Sequence, residues 1–277
     1  MPRHAVFRAA LGTLVAAVFL LAAPAGRAAE RAEIIAFLDI TGFDVALDGI
    51  ALTAADAPGM LGMAPEDFGQ AWTRIADEVF DPAAMRAMAM DMLSQTLDDE
   101  MLLHAAGFYA SDLGQRLVAA ENAAQTADDD TARRERGRAL LERASKDRVA
   151  VLRRLVGAVD PSGQAVRAVQ EVMVRFTMAA SRAGVLDYRI DEGSLRAMLA
   201  AREKSMRAEM ARAALVDAAL TYHAFSEDEI AAYAQALEDP TMRRVYELMN
   251  AVQFEITANR LEALAARMAE LPPEQEL

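Results

Sequence analysis

The amino-acid sequence predicts an all-α fold. From about residue 30 onward, apolar residues recur at three- and four-residue steps, as they do along one face of a helix. Three Asp-Pro pairs, which begin at Asp81, Asp160 and Asp239, each place a capping carboxylate before a proline that has no N–H to lose. The sequence lacks sustained strand-like alternation, and its 14 glycines and 9 prolines are too few for a turn-rich β-sandwich.

Each predicted helix has its own local signal. The first two follow the apolar spacing that begins at Ile34, and the third starts at Pro65, which two acids follow. Later helices begin at the Asp-Pro pairs or at residues of N-cap type, such as Asp98 and Ser111. Together these signals predict helices at 30–40, 43–56, 65–79, 82–96, 99–110, 112–125, 131–157, 161–183, 192–222, 227–238 and 240–270.

Residues 1–28 have the pattern of a cleavable signal peptide. Arg3 and Arg8 precede or flank the start of an apolar run over residues 9–23, and small residues follow that run at cleavage spacing. We therefore expect export to the bacterial periplasm, with cleavage after residue 25, 28 or 29. The alternative is a leader retained as a membrane anchor, since about 18 to 20 apolar residues span a bilayer.

The composition excludes several classes of function. The chain carries 42 acidic and 29 basic residues, and this net charge of −13 argues against a nucleic-acid partner, because phosphate binding needs a basic surface. It contains no cysteine, so disulfides, thiolate metal sites and cysteine nucleophiles are excluded. Glycine-rich phosphate loops, a Gly-x-Ser-x-Gly elbow and a His-Glu-x-x-His motif are also missing from the sequence. We predict no cofactor, no metal and no catalytic residue.

A weak internal repeat occurs at an offset of 128 residues. It aligns residues 97–123 with residues 225–251, and only four of the 27 aligned positions are identical. The physical roles agree better than the residue types, since residues of N-cap type, such as Ser111 and Asp239, stand at corresponding helix starts. The alternative is that any two capped amphipathic helix pairs would align this well.

The repeat predicts the organisation of the mature chain. We expect one helical lobe over 29–125 and a second, degenerate copy over 161–277, joined by a basic helical connector over 126–160. Within the connector, residues 131–156 hold nine basic and three acidic side chains. Such a helix favours an intramolecular, solvated role, and the alternative is weak contact with an anionic membrane surface.

One motif resembles a known family. Phe108, Tyr109, Ser111, Gly114 and Leu117 form the pattern Phe-Tyr-x-Ser-x-x-Gly-x-x-Leu, which follows an acidic helix start. This unit resembles the signature of the domain of unknown function 2059 family, well over about residues 80–125 and weakly over 210–255. The resemblance implies a small, helical, exported bacterial domain and brings no established activity. We interpret the five residues as structural, with a surface aromatic binding site as the alternative.

Two other patterns have both a metal-binding and a structural interpretation. Glu100 and His104 lie four residues apart, a spacing that supplies two metal ligands, yet it is also typical of an exposed helix pair. Met85, Met88 and Met92 have the spacing of a core stripe. The alternatives for the methionines are a groove that accepts a peptide or lipid, and a Cu(I) site. We favour the structural interpretation in both cases.

These observations lead to a hypothesis about function. We expect an exported, non-enzymatic, helical binding or adaptor protein of the bacterial cell envelope, whose apolar groove receives an envelope protein or a peptide. The alternatives are a periplasmic hydrolase that uses carboxylates, and a protein that binds lipid or peptide in a methionine-rich groove. A deep pocket with convergent titratable groups would favour an enzyme. The sequence does not determine the oligomeric state.

Overall fold

The structure is a computed structural model, and it describes residues 25–64, 71–126, 130–161, 163–186 and 189–270. All regular elements in these ranges are helical, which confirms the predicted all-α class. The α-helices are α1 (Ala25–Thr41), α2 (Phe43–Asp48), α3 (Thr53–Met60), α4 (Ala71–Val79), α5 (Pro82–Thr96), α6 (Asp99–Tyr109), α7 (Asp112–Gln125), α8 (Asp130–Arg143), α9 (Lys146–Val159), α10 (Gln164–Ala183), α11 (Glu192–Thr221), α12 (Glu227–Leu237) and α13 (Pro240–Met268), with a 3₁₀ turn over Gly49–Leu52 between α2 and α3.

The N-terminal leader falls largely outside this description. Residues 1–24, which carry most of the predicted signal peptide, lie outside the described residues. In the part of the chain that the structure describes, no helix combines the length and the apolar character that crossing a membrane requires.

Helix starts follow the predicted capping chemistry. The Asp81 carboxylate accepts a hydrogen bond from the Ala84 N–H at 2.9 Å, and Pro82 is the first residue of α5. The Asp160 carboxylate caps α10 by accepting from the Gln164 N–H at 2.9 Å. The predicted start of α10 at residue 161 is nevertheless wrong, because Gly163 adopts a left-handed conformation (φ 63°) and helical geometry begins only after it.

Two predicted helices are divided in the structure. The predicted helix over 131–157 is α8 followed by α9, and the break falls at Ser145, whose hydroxyl accepts from the Arg148 N–H at 2.9 Å. A serine that caps the backbone locally competes with helix continuation at that point. The predicted helix over 43–56 is likewise α2, a 3₁₀ turn and α3.

The long final helix, α13, is the axis of the core. It packs against α4, α5 and α6 from the first part of the chain and against α9, α10 and α12 from the second. Its inward face includes Val245, Met249 and Ile256, each fully buried. The buried apolar cluster contains residues from both predicted lobes, such as Phe37 and Phe176. The division into two lobes and a connector stays a prediction.

The two repeat units have corresponding local structure. Each is a helix, a tight corner and a second helix, and α6 and α7 start at positions that match the starts of α12 and α13 at the 128-residue offset. The Ser111 hydroxyl accepts from the Gly114 N–H at 3.1 Å. Asp239 accepts from the Thr241 and Met242 N–H groups at 2.8 and 3.3 Å. Common descent of the units stays a prediction.

The two units also exchange ion pairs. Arg116 on α7 pairs at 2.6 Å with Glu229 in the first turn of α12. Arg244 on α13, the equivalent position in the second unit, pairs at 2.6 Å with Asp98, the N-cap residue of α6. Each arginine thus contacts the acidic helix start of the other unit, so the units face one another reciprocally.

Candidate functional site

A carboxyl group, Glu121 on α7, is the centre of a polar network inside the helical core. The hydroxyl of Tyr222, which directly follows α11, donates to Glu121 Oε1 at 2.7 Å. The hydroxyl of Tyr233 on α12 donates to the same oxygen at 2.9 Å. Glu121 lies one helical turn after the fully buried Leu117, and this i, i+4 spacing directs both side chains towards the same face of α7.

Two further tyrosines extend the network. The hydroxyls of Tyr109, Tyr233 and Tyr246 lie within hydrogen-bonding distance of one another, at 3.2 Å (109–233), 2.5 Å (109–246) and 2.8 Å (233–246). Because Tyr233 donates its proton to Glu121, the hydroxyl protons of Tyr109 and Tyr246 are the two that remain for these three contacts, so two of the three are hydrogen bonds at any one time. We call Glu121 and these tyrosines, together with Tyr222, the tyrosine cluster, and it contains four of the five tyrosines of the chain.

Burial shifts the protonation equilibria of the cluster. Burial raises the pKa of the Glu121 carboxyl, and hydrogen bonds from Tyr222 and Tyr233 act in the opposite direction without cancelling the rise. Burial and the negative charge of Glu121 raise the pKa of Tyr222 and Tyr233 well above that of free tyrosine. The tyrosines therefore remain protonated donors at neutral pH, and the glutamate binds a proton at higher pH than an exposed glutamate.

Four members of the cluster, Glu121, Tyr222, Tyr233 and Tyr246, line a cavity of about 620 Å³, which we call the tyrosine cavity. Its walls come mainly from α2, the 3₁₀ turn, α7 and α13, with single residues from α1, α9 and α12. Its five aromatic residues are Phe43, Tyr222, Tyr233, Tyr246 and Phe254. Among the described residues that form its lining, Glu121 is the only charged one.

An amide beside Glu121 adds an acceptor to the same cavity. Asn122 lines the tyrosine cavity, and its Oδ1 is buried with no hydrogen-bond partner in the described part of the chain. The backbone of Gly42 approaches this oxygen so closely that a Cβ at Gly42 would lie 2.6 Å from it. Gly42 also has a left-handed φ of 73°, so glycine suits this corner on both counts.

A second cavity of about 550 Å³, the α11 cavity, adjoins the first. Glu121, Tyr222 and Val159 are among the residues that line both cavities. The rest of the α11 cavity lies between α9, α10 and α11. Its wall is mostly apolar, with residues such as Leu155 and Met210, and it also includes the charged residues Asp160, Arg207 and Asp217. Both volumes fall in the range of about 300–1,000 Å³ that is typical of small-molecule sites.

The family-signature residues surround this site in different ways. Tyr109 is buried and contributes its hydroxyl to the tyrosine cluster, and the ring of Phe108 stacks on Tyr233 with centroids 5.7 Å apart. Ser111 caps α7, and Leu117 is fully buried. Gly114 permits the corner, since a Cβ there would lie 2.4 Å from the Phe108 carbonyl oxygen and 2.6 Å from the Tyr109 Cα.

The predicted metal-type pair is engaged in contacts between helices. Glu100 accepts hydrogen bonds from Thr241 at 3.1 Å and from Arg244 at 3.5 Å, whereas His104 Nε2 lies 3.0 Å from Asp239 Oδ1. The described residues contain no group of three or more histidine, cysteine or acidic side chains placed to hold a metal ion.

The methionine stripe of α5 packs into the core. Met85 is fully buried, and Met88 and Met92 are partly buried against the core cluster. Their positions agree with the packing role that the spacing favours. Neither the tyrosine cavity nor the α11 cavity is lined by these three residues.

The sequence interpretation missed most of the tyrosine cluster. Tyr109 belongs to the signature, whereas Glu121, Tyr222, Tyr233 and Tyr246 lie outside it. The available signal was Glu121 itself, a carboxylate one turn beyond Leu117 on an otherwise apolar helix face. An acid in that position needs a buried polar partner, and this expectation points to a site without naming its other members.

Comparison with known proteins gives one match. A family described as "Uncharacterized protein conserved in bacteria (DUF2059)" matches residues 83–143, which confirms the resemblance to the domain of unknown function 2059. The match runs from α5 to the end of α8, beyond the expected end at residue 125, and it includes Tyr109 and Glu121. No curated protein and no solved structure matches the chain.

Proposed function

We propose that the protein is an exported, non-enzymatic binding protein of the bacterial cell envelope, which works in the periplasm and takes a small amphiphilic ligand at the tyrosine cluster. One observation carries the proposal: Glu121 and Tyr222 stand on the shared border of an aromatic, polar cavity and a mostly apolar one. A ligand with one polar end and one apolar end matches this pair of environments.

The chemistry of the lining supports binding of a small molecule. Small-ligand sites combine mostly apolar walls with a few convergent polar groups, and the tyrosine cluster supplies such groups on α7, α12 and α13. A carboxyl group with a pKa shifted by burial inside a cavity is a further sign of a functional site. A peptide helix, about 10 Å across, needs an open groove rather than cavities of this size.

The envelope protein or peptide expected from the sequence is therefore a second candidate occupant. A peptide would enter by inserting one amphiphilic side chain into the tyrosine cavity while its backbone remained outside. Adding envelope peptides to the protein with a small probe bound in the cavity tests this candidate. Displacement of the probe by peptides that carry such a side chain would favour a peptide as the occupant.

An enzyme that uses carboxylates is the third candidate, and the raised pKa of Glu121 in a pocket favours it. Hydrolysis by a carboxylate pair needs a second acid beside the reacting group. Among the described residues that line the tyrosine cavity, Glu121 is the only acid, and its Oε1 already accepts from Tyr222 and Tyr233. Asp160 and Asp217 line the adjoining α11 cavity but not this one. This arrangement supports binding over hydrolysis.

The basic segment 131–156 adds a second part to the proposal, weak contact with an anionic membrane surface. Two of its arginines serve the fold, since Arg148 donates to the carbonyls of Tyr222 and Phe225 and Arg154 pairs with Glu238. The side chains of Arg136 and Arg138 on α8 are exposed, and these two are the arginines that we propose contact the headgroups. Sedimentation with anionic vesicles tests this part, and binding that persists at about 1 M salt would contradict it.

Probe binding tests the principal proposal. Ala124 lines both cavities, whereas the neighbouring Ala123 is exposed and lines neither. The fluorescence of N-phenyl-1-naphthylamine should rise saturably with the wild-type protein and with Ala123→Leu, and the rise should be lost with Ala124→Leu, whose larger side chain fills the shared border. Absence of saturable binding to the wild type, or equal binding by both variants, would contradict the proposal.

A further inference from the structure

The tyrosine cavity carries one negative group with no basic neighbour in its wall. Glu121 is the single charged residue among the described residues of the lining, which includes no lysine and no arginine. Its hydrogen bonds come from the neutral hydroxyls of Tyr222 and Tyr233. An ionised Glu121 is therefore a partly buried charge whose counter-charge the wall of the tyrosine cavity does not supply, and a partner that neutralises it would stabilise it.

The hydrogen-bonding capacity that remains in the cavity suits a donor. The hydroxyl protons of Tyr222 and Tyr233 are directed to Glu121, and those of Tyr109 and Tyr246 serve the contacts among the tyrosines. The buried Oδ1 of Asn122 has no partner in the described structure. The tyrosine hydroxyls beside Glu121 therefore have their protons committed, which is unfavourable for a carboxylate or phosphate ligand at this position.

Aromatic rings complete the environment of the carboxylate. Phe43, Tyr246 and Phe254 line the cavity with Tyr222 and Tyr233, and the rings of Phe43 and Tyr246 meet edge to face with centroids 5.8 Å apart. The faces of aromatic rings attract organic cations, and groups of such rings around a carboxylate recognise ammonium groups. Ca²⁺ and Mg²⁺ sites usually include several carboxylate ligands, whereas Glu121 is the single carboxylate among the described residues of this lining.

We propose that the tyrosine cavity holds the ammonium head of an amphiphilic organic amine, with Glu121 as its counter-ion and with its apolar part in the α11 cavity. This inference rests on the proposed binding function and adds the chemical class of the ligand to it. The apolar wall of the α11 cavity begins at the same Glu121 and Tyr222, so a chain attached to the ammonium group passes from one cavity to the other.

Three probes with the same chain separate the contribution of the head group. Octyltrimethylammonium, octanol and octanoate are titrated into the full mature chain by calorimetry. We expect the ammonium to bind at least tenfold more tightly than octanol, and octanoate to bind most weakly. Tetramethylammonium and octylamine, run alongside, tell a free small cation from an amphiphile, since only octylamine should approach the affinity of octyltrimethylammonium.

Matched variants assign the effect to the cavity. Glu121→Gln keeps the shape and removes the charge, and it should weaken octyltrimethylammonium at least tenfold while octanol binding is unchanged. Glu247→Gln, an exposed carboxylate on the same protein, is the control and should leave both affinities unchanged. Should Glu121→Gln fail to fold, Phe254→Leu takes its place, because loss of this ring should also weaken the ammonium selectively.

The outcomes distinguish this inference from the proposed function. If octanol binds as tightly as octyltrimethylammonium, or if Glu121→Gln retains the ammonium affinity, the inference is overturned while the binding function stands. Preferred binding of octanoate has the same consequence. If none of the probes binds, the inference and the binding function fail together.

Discussion

The two helix–corner–helix units, 97–123 and 225–251, have the same skeleton and place different chemistry inside it. Their helices start at equivalent positions, and Ser111 and Asp239 cap the second helix of each. The inward-facing positions diverge. Glu121 of the first unit corresponds to Met249 of the second, which is fully buried in the apolar core.

The second unit also has polar side chains at positions where the first unit has apolar ones. Tyr233 and Tyr246 of the second unit stand where the first unit has Ala105 and Val118. The polar network therefore takes its carboxyl from one unit and two of its hydroxyls from the other. The comparison shows that two units with corresponding caps and corners differ at a few core positions, and that these differences place a candidate binding site between the units.

The largest effect is expected from core truncation, and it should differ between the units. Ile230 is fully buried, so Ile230→Ala should lower the free energy of unfolding by ~2–5 kcal/mol. Leu102, its counterpart, is partly buried, and Leu102→Ala should cost clearly less because part of the side chain already contacts water. Urea denaturation measures both. Equal losses would show that the two first helices are equally embedded.

A substitution at the corner glycine tests why the first unit has Gly114 in the first turn of its second helix whereas the second unit has Met242 at the equivalent position. Gly114→Ala should destabilise by ~1–3 kcal/mol, because its Cβ would overlap the backbone of Phe108 and Tyr109. The second unit has the buried Met242 at this position, so its corner accommodates a side chain. Gly107→Ala on α6 is the control: a Cβ there meets nothing within 4 Å, and the change should stabilise by up to ~1 kcal/mol. A neutral Gly114→Ala would refute the close approach.

The caps test what the units share. Ser111→Ala and Asp239→Ala should each lower the free energy of unfolding by ~1 kcal/mol, since each leaves helix N–H groups without an acceptor. The loss at Asp239 should be the larger, because this carboxylate accepts from two N–H groups and also contacts His104. Ser205→Ala, an exposed mid-helix change on α11, should have little effect. Thermal unfolding of the three variants measures these losses, and a loss at Ser205→Ala as large as those at the two caps would contradict the capping role.

The smallest effect should come from the carboxyl that the second unit lacks. Because the pKa of Glu121 is raised on folding, the folded state binds more protons than the unfolded state above the usual glutamate pKa of 4.5. The contribution of Glu121 to the stability of the wild type should therefore fall as pH rises from about 4.5 through the raised pKa. Glu121→Gln should remove this fall, so that the variant gains on the wild type between pH 4 and pH 8. A pH-independent difference would contradict the buried carboxyl.

Much of the fold follows from the sequence alone. Helix starts at Asp81, Asp98, Ser111 and Asp239 are readable because capping involves atoms only two or three residues apart. The same local chemistry also explains the errors, because the break at Ser145 comes from a cap inside a continuous helical pattern. The local sequence around Ser145 contains both a signal for helix continuation and a signal for a cap, and tertiary packing decides which of the two prevails.

The tyrosine cluster is decided by the tertiary structure. Glu121 is 101 residues from Tyr222 and 112 from Tyr233, and Tyr109 is 137 from Tyr246. Apolar spacing determines that a face of α7 is buried, and it carries no information about which helix covers that face. The contacts that join these residues form only when α12 and α13 pack against α6 and α7. The sequence thus determined the helices and their caps, whereas only their packing brought one acid and four hydroxyls together.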